Sequence, residues 1–189
     1  MTWSVRCSRC GRVYDDDATR FRCDCGGVLD LLFEPQFDPA AVAGRPHDLW
    51  RYREALPVSG DIVTMGEGCT PLLPVPFRTA TLLVKQEQLF PTGSYKDRGA
   101  ALLISRLREL GVERVVEDSS GNAGCAVAAY AARAGIACDI YVPADTSPAK
   151  TAQIEAYGAT LHRIAGTRED TASAAMEAAA TAVYASHVY

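Results

Sequence analysis

Long apolar runs are missing from this 189-residue chain. Arg133 and Asp139 interrupt the longest candidate, and Glu177 interrupts the alanine-rich tail. No stretch approaches the roughly 20 residues that a membrane-spanning helix needs. An excess of positive charge is missing too, since 19 lysines and arginines stand against 23 aspartates and glutamates, a formal net charge of −4. That removes the basic footprint on which nucleic-acid binding rests. Met1 leads directly into polar, cysteine-bearing sequence, so no signal peptide is expected. No internal repeat and no low-complexity tract is visible. Histidine is scarce, and His47, His162 and His187 are each expected to be packed or exposed structural residues rather than proton-transfer groups. With 48% apolar and 22% charged residues, the composition is that of a globular domain plus a small appendage. The expectation is a cytoplasmic protein with neither nucleic acid nor a membrane as partner.

Seven cysteines are present, and four of them fall in the first 25 residues. Cys7 and Cys10 are followed by Gly11, and Cys23 and Cys25 by Gly26 and Gly27. Two such pairs can place four thiolates around one tetrahedral zinc, the glycines allowing the tight turn at each knuckle. Reduced free thiols or disulfides are the alternatives. The second pair has one intervening residue instead of two, a departure from the standard knuckle. Cys69, Cys125 and Cys138 are scattered among apolar neighbours and are expected to be small core residues.

Eight of the ten prolines precede residue 92, and 35–76 shows no sustained period. That interval reads as an irregular arm, with Trp50 and Tyr52 expected to pack on a neighbouring surface. Strands are predicted at 82–86, 114–118, 138–142 and 160–164, and helices at 95–110, 123–134, 148–157 and 168–180. The alternation points to an α/β fold, a parallel sheet with helical crossovers. The organisation expected is a zinc ribbon at 1–34, a linker or arm at 35–80, and a catalytic region at 81–189 that ends on strand-like sequence at 184–189.

The segment Pro91-Thr92-Gly93-Ser94-Tyr95-Lys96-Asp97-Arg98-Gly99-Ala100 reads as a tight turn entering a helix. Ser94 is a good N-cap, and Asp97 stands where a capping-box acid belongs, with a local ion pair to Arg98 also open to it. Lys96 then lies on the opening turn, where the positive end of the helix dipole disfavours the ammonium form. A neutral amine is what attack on an aldehyde requires. The other reading is an ordinary solvated lysine. Ala100, Leu103, Ile104, Leu107 and Leu110 make one apolar stripe that would anchor this turn on a rigid element, and Gly111 stops the helix. A second turn, Ser120-Gly121-Asn122-Ala123, follows a β-branched strand and opens an alanine-rich helix ended by Gly135. Its backbone N–H groups form an anion pocket suited to a carboxylate.

Together these two turns resemble the signature segments of the fold-type II pyridoxal phosphate enzymes, the tryptophan synthase β-like superfamily. Within it the chain is most similar to the threonine synthase family, which Gly66-Glu67-Gly68-Cys69-Thr70-Pro71-Leu72 and the cysteine ribbon also resemble. Cys69 stands where related chains often carry asparagine. The resemblance implies that Lys96 holds pyridoxal 5'-phosphate and moves protons. It further implies that Asn122 bonds the cofactor's 3′-oxygen, and that Ser120, Gly121, Asn122 and Ala123 hold the carboxylate of a small amino-acid substrate. The implied reaction is the conversion of O-phospho-L-homoserine and water to L-threonine and phosphate. A full-length form is expected to be a homodimer.

No second glycine-rich loop follows Gly124, and the family's phosphate loop and pyridine partner lie beyond the stretch matched here. The expectation is the first half of an incomplete fold-type II enzyme, weak or inactive as this chain. Two alternatives stand beside threonine synthesis. One is another fold-type II β-elimination or β-replacement, on serine, threonine or sulfur amino-acid derivatives. The other is a noncatalytic zinc-binding fragment.

Overall fold

The computed structural model describes residues 4–15, 20 and 22–185, and the structural statements below concern those residues. His187 and the end of the strand-like tail lie outside them. Cysteine pairs punctuate the first sheet, in which β1 (Ser4–Cys7) lies between β2 (Val13–Asp15) and β3 (Leu29–Leu32), antiparallel to both. Gly11 and Gly26 take φ of 73° and 78°, the left-handed turns that follow each pair.

The arm is irregular but fastened. Asp38 caps the short helix α1 (Pro39–Ala43), and Asp48 accepts the Trp50 N–H at the start of a 3₁₀ turn over Leu49–Ala55. Trp50 is buried as expected, whereas Tyr52 stays exposed. The indole Nε1 donates to Glu67 at 2.6 Å, and the same buried carboxylate accepts the Met65 N–H at 2.9 Å and the Tyr130 hydroxyl at 2.8 Å. One carboxylate with several donors thus ties the arm to the body of the fold, which satisfies a charge that would otherwise be costly to bury.

Two strands, β4 (Leu72–Phe77) and β5 (Ala80–Lys85), form an antiparallel hairpin with Leu72 opposite Lys85 and Phe77 opposite Ala80. This departs from the parallel strand predicted at 82–86. The turn leaves only Arg78 and Thr79 between the strands, with Arg78 at φ 53°, and a parallel neighbour would need a crossover of a dozen or so residues. β4 lies within the stretch expected to be an irregular arm, and its Pro74 and Pro76 have no N–H for a ladder on that side.

From α2 (Lys96–Glu109) onward the chain alternates as predicted: β6 (Arg114–Glu117), α3 (Asn122–Ala134), β7 (Ala137–Pro143), α4 (Pro148–Ala156), β8 (Thr160–Ile164), α5 (Arg168–Ala178) and β9 (Val183–Tyr184). The four strands are parallel in the order β8-β7-β6-β9. Val115, Cys138, Ile140 and Val142 pack with α2 and α3 in one core, while Val116 and Tyr184 meet Ala175 of α5 in another. Both faces of the central strands are therefore covered, as parallel sheets require. Ala100, Ile104 and Leu107 of the predicted α2 stripe are buried, and Leu110 at its end is exposed. Cys125 and Cys138 are buried as expected, but Cys69 is exposed, with φ 44°. His162 is structural, its Nε2 lying 2.7 Å from Asp139, which also takes Arg114 Nε at 2.7 Å. No helix is long and apolar enough to cross a membrane.

Candidate active site

Chain order fixes where a site can form. From β6 the strands step to β7 and β8, and α5 then returns the chain to β9 on the other side of β6. The C-terminal end of β6 is therefore a topological switch point, the place where open α/β sheets leave a crevice. The Ser120-to-Ala123 turn lies there, leading into α3.

Lys96 is the first residue of α2, whose N-cap is Tyr95 and not the predicted Ser94, although the Ser94 hydroxyl accepts the Lys96 N–H at 3.2 Å. Asp97 does not complete a capping box. Its wholly buried carboxylate accepts the Thr92 N–H at 2.9 Å and the Thr92 hydroxyl, bracing the turn before the lysine. Burial raises the Asp97 pKa, and the two bonds from Thr92 oppose that rise. Nor does Arg98 pair with Asp97. Its guanidinium reaches Glu87 at 3.0–3.1 Å and lies 4.8 Å from the Phe90 ring centre. From α4, Gln153 donates to the Thr92 carbonyl at 3.2 Å. The lysine-bearing turn is thus held by its own helix and by a second one, the support a precisely placed amine needs.

Lys96 lines a cavity of about 440 Å³ together with Tyr95, Gly99 and Leu103 of the same segment and Ala123 and Val127 of α3. Its Nζ lies 5.3 Å from the Tyr95 ring centre. Of the second predicted turn, Ala123 lines this cavity with Lys96, whereas Ser120, Gly121 and Asn122 are not among its lining residues. Ser120 is half-buried, and Gly121 and Asn122 are exposed at the mouth of α3. The Cys125 N–H bonds back to the Gly121 carbonyl at 3.0 Å, so the amides of Asn122, Ala123 and Gly124 have no intrahelical acceptor. A Cβ on Gly124 would run into the Ser119 carbonyl, so only glycine lets this turn fold so tightly onto the helix.

Two acids behind the turn were missed by sequence reasoning. Asp118 accepts from Tyr184 at 2.8 Å and pairs with Arg168 at 2.5 Å. Burial, reinforced by the neighbouring Asp118, pushes Glu117 up to about 8, against the pull of the Arg168 and Lys96 cations. Consecutive acids closing an apolar strand were the available signal.

At the other end of the chain, Cys7, Cys10, Cys23 and Cys25 converge, with all four sulfurs within 4.8 Å of one another. Cys7 and Cys25 Sγ are 3.5 Å apart, as are Cys10 and Cys23. Four sulfurs at about 2.3 Å from one zinc would stand about 3.8 Å apart, so the donor set fits that ion. The Arg9 and Cys10 N–H groups point at Cys7 Sγ at 3.3 and 3.4 Å, and the Tyr14 hydroxyl, 3.1 Å from Cys23 Sγ, lowers that thiol to about 6. A Cβ on Gly27 would stand 2.6 Å from Cys7 Sγ, so the second glycine of the pair keeps the cluster open.

Residues 63–189 match the family described as "Pyridoxal-phosphate dependent enzyme". The chain belongs to this family. It is 37% identical over 178 residues to a threonine synthase from Methanocaldococcus jannaschii, a match covering 87% of this chain and 44% of that protein. Among solved structures, a pyridoxal 5'-phosphate-dependent aspartate racemase is 31% identical at a TM-score of 0.56, covering 62% of this chain and 39% of that one. An O-ureido-L-serine synthase is 29% identical at a TM-score of 0.55, covering 61% and 40%. The chain spans about half the length of the threonine synthases it matches.

The family's cofactor fits this crevice at one end. Lys96 lines a cavity large enough for a small ligand, and Ala123, whose N–H is free at the start of α3, lines it as well. A glycine-rich nest for the cofactor phosphate is not found among the described residues after Gly124.

Proposed function

We propose that this chain carries the lysine-bearing part of a threonine synthase-type lyase, converting O-phospho-L-homoserine and water to L-threonine and phosphate. The observation that carries the reading is the cavity that Lys96 and Ala123 both line, in a chain 37% identical to a threonine synthase. Lys96 is the amine that would hold pyridoxal phosphate, and its Nζ would take and return protons. Bound there, the cofactor supplies an electron sink for a carbanion beside the substrate nitrogen. Asn122 donates to the cofactor's 3′-oxygen. Ser120, Gly121, Asn122 and Ala123 form the carboxylate loop, where the N–H groups at the start of α3 meet a negative group. The four cysteines hold a structural zinc that keeps the ribbon folded and takes no part in the chemistry. Turnover by the isolated chain is weak or absent, because the described residues offer no nest for the cofactor phosphate.

Borohydride reduction in the presence of pyridoxal phosphate, followed by peptide mass analysis, tests the lysine. Cofactor mass is expected on the peptide containing Lys96 and is lost in Lys96→Ala, whereas Lys85→Ala and Lys150→Ala retain it. Modification of Lys85 or Lys150 instead would remove the reading.

The O-ureido-L-serine synthase structure, at 29% identity, favours a second reading, β-replacement on an activated serine. Supplying O-phospho-L-homoserine and O-acetyl-L-serine in parallel to a form with a complete cofactor site separates the two. Phosphate release from the first supports threonine synthesis, and acetate release from the second supports replacement.

A further inference from the structure

Three elements meet at the base of the Ser120-to-Ala123 turn, joined by one charged pair. Asp118 directly follows β6, Arg168 opens α5 and Tyr184 ends β9. Asp118 is 2% exposed, so its carboxylate has left water almost entirely. One of its oxygens accepts from the Tyr184 hydroxyl at 2.8 Å, and the other pairs with Arg168 Nη1 at 2.5 Å. A buried carboxylate needs such partners. The position of the cation is unusual. As the first residue of α5, Arg168 stands at the positive end of the helix dipole, which disfavours a cation. Glu169, Asp170 and the Thr167 capping box already complement that helix end. Nothing in α5 calls for an arginine at this position; Asp118 does.

The pair lies close to the anion pocket at the start of α3. The Ser119 carbonyl, next to Asp118 in the chain, packs on Gly124 so closely that no Cβ would fit there. The end of β6 is thus folded onto the first turn of α3, where the Asn122, Ala123 and Gly124 N–H groups have no intrahelical acceptor. Over so short a distance a charge on Asp118 acts on any ligand of those groups, and its sign opposes a carboxylate. Glu117 contributes less, because burial pushes it up to about 8 and keeps it protonated at lower pH.

We propose that Arg168 sets the affinity of the carboxylate loop: by neutralising Asp118 it keeps the start of α3 receptive to the substrate's carboxylate. This role rests on the reading of Ser120, Gly121, Asn122 and Ala123 as that loop. It is indirect, since Arg168 reaches the loop through Asp118 and touches no ligand itself. A charge screen differs from a structural brace in one respect. A brace is lost with either member of the pair, whereas a screen becomes unnecessary once the acid has gone.

The test titrates the chain with sodium acetate at pH 6 and constant ionic strength, following the amide resonances of Asn122, Ala123 and Gly124. Saturable shifts at these amides are expected in the unaltered chain. Arg168→Gln should weaken acetate binding by roughly tenfold or more, because the buried acid is then unscreened. Asp118→Asn keeps an oxygen to accept from Tyr184 but carries no charge, and it should bind acetate at least as tightly as the parent. The double variant, Arg168→Gln with Asp118→Asn, should return to within about threefold of the parent. These last two decide the matter even if Arg168→Gln alone fails to fold. Binding that Arg168→Gln leaves unchanged would overturn the proposal. So would weaker binding in Asp118→Asn, or a double variant that stays tenfold weak. Each of those results would leave the carboxylate loop standing. Absence of saturable shifts in the unaltered chain would instead remove the loop, and the role of Arg168 with it.

Discussion

In β6 and β7, Val115, Val116, Ile140 and Val142 are sealed from water, whereas in β4 and β5 equally apolar residues such as Leu73, Val75, Leu82 and Leu83 stand in it. Residue type does not separate the two sheets; what lies above and below them does. α3 and α4 lie against one face of the parallel strands, with α2 packed on α3, and α5 lies against the other face. Each large side chain buried there contributes roughly 1.5–3 kcal/mol that the hairpin's side chains do not. The ribbon is a third case, a three-stranded sheet whose Val13 and Leu31 are exposed, so sulfur chemistry has to do what a core does elsewhere.

The largest effect expected from this comparison is on the ribbon. Chelating zinc from loaded protein, or replacing Cys23 by Ser, should abolish amide protection across β1 to β3 while β6 and β7 stay protected. A structural zinc is worth on the order of 10–16 kcal/mol in small domains. A ribbon that keeps its protection after chelation would mean that its sheet stands without metal.

Next comes the covered sheet. Ile140→Ala is expected to cost about 2–5 kcal/mol in urea unfolding, because Ile140 is fully buried between helices and the cavity cannot close completely. A loss below about 1 kcal/mol would show that the packing there is looser than the structure describes.

Glu117 sharpens the contrast from the other side, because the same cover that stabilises Ile140 penalises a charge. Burial pushes its pKa up to about 8 in the folded protein, above the ordinary value of 4.5. A raised value means that the native state binds the proton more tightly. The stabilisation from protonated Glu117 is therefore complete below pH 4.5 and is lost as the pH rises to about 8. Glu117→Gln should be more stable than the parent by roughly 2–4 kcal/mol at pH 8, with the gap closing below pH 4.5. A gap that does not change with pH would show that the carboxyl is not the titrating group.

The smallest effect belongs to the hairpin. Leu82→Ala in the isolated chain should change stability by no more than about 0.5 kcal/mol, as for other surface positions. A cost of several kcal/mol would mean that something already covers this face.

Much of the lysine site was legible because its determinants are local. The Ser94 hydroxyl accepts the Lys96 N–H, Gly135 ends α3 at φ 72°, and the alternation from residue 95 onward maps onto the parallel sheet. The partners of Asp97 and Arg98 were not legible. Both were read as capping or pairing within the turn, but Thr92 and Glu87 took them, because packing brought those groups closer than the sequence neighbours. β4 escaped notice because Pro74 and Pro76 forbid an inner strand and yet fit an outward-facing edge, and nothing local tells the two apart.

By itself, the sequence determined which residues could turn, cap and ligate: the glycines after each cysteine pair, the serine before Lys96, and the small residues that let α3 approach its neighbours. Those are contests between a residue and its own backbone, decided within a few positions. The tertiary structure alone decided which apolar strands are covered, which acids are buried, and that Lys96 and Ala123, 27 residues apart, line one cavity. Those outcomes depend on which distant surface arrives first at each face and excludes water from it, and no local propensity encodes that.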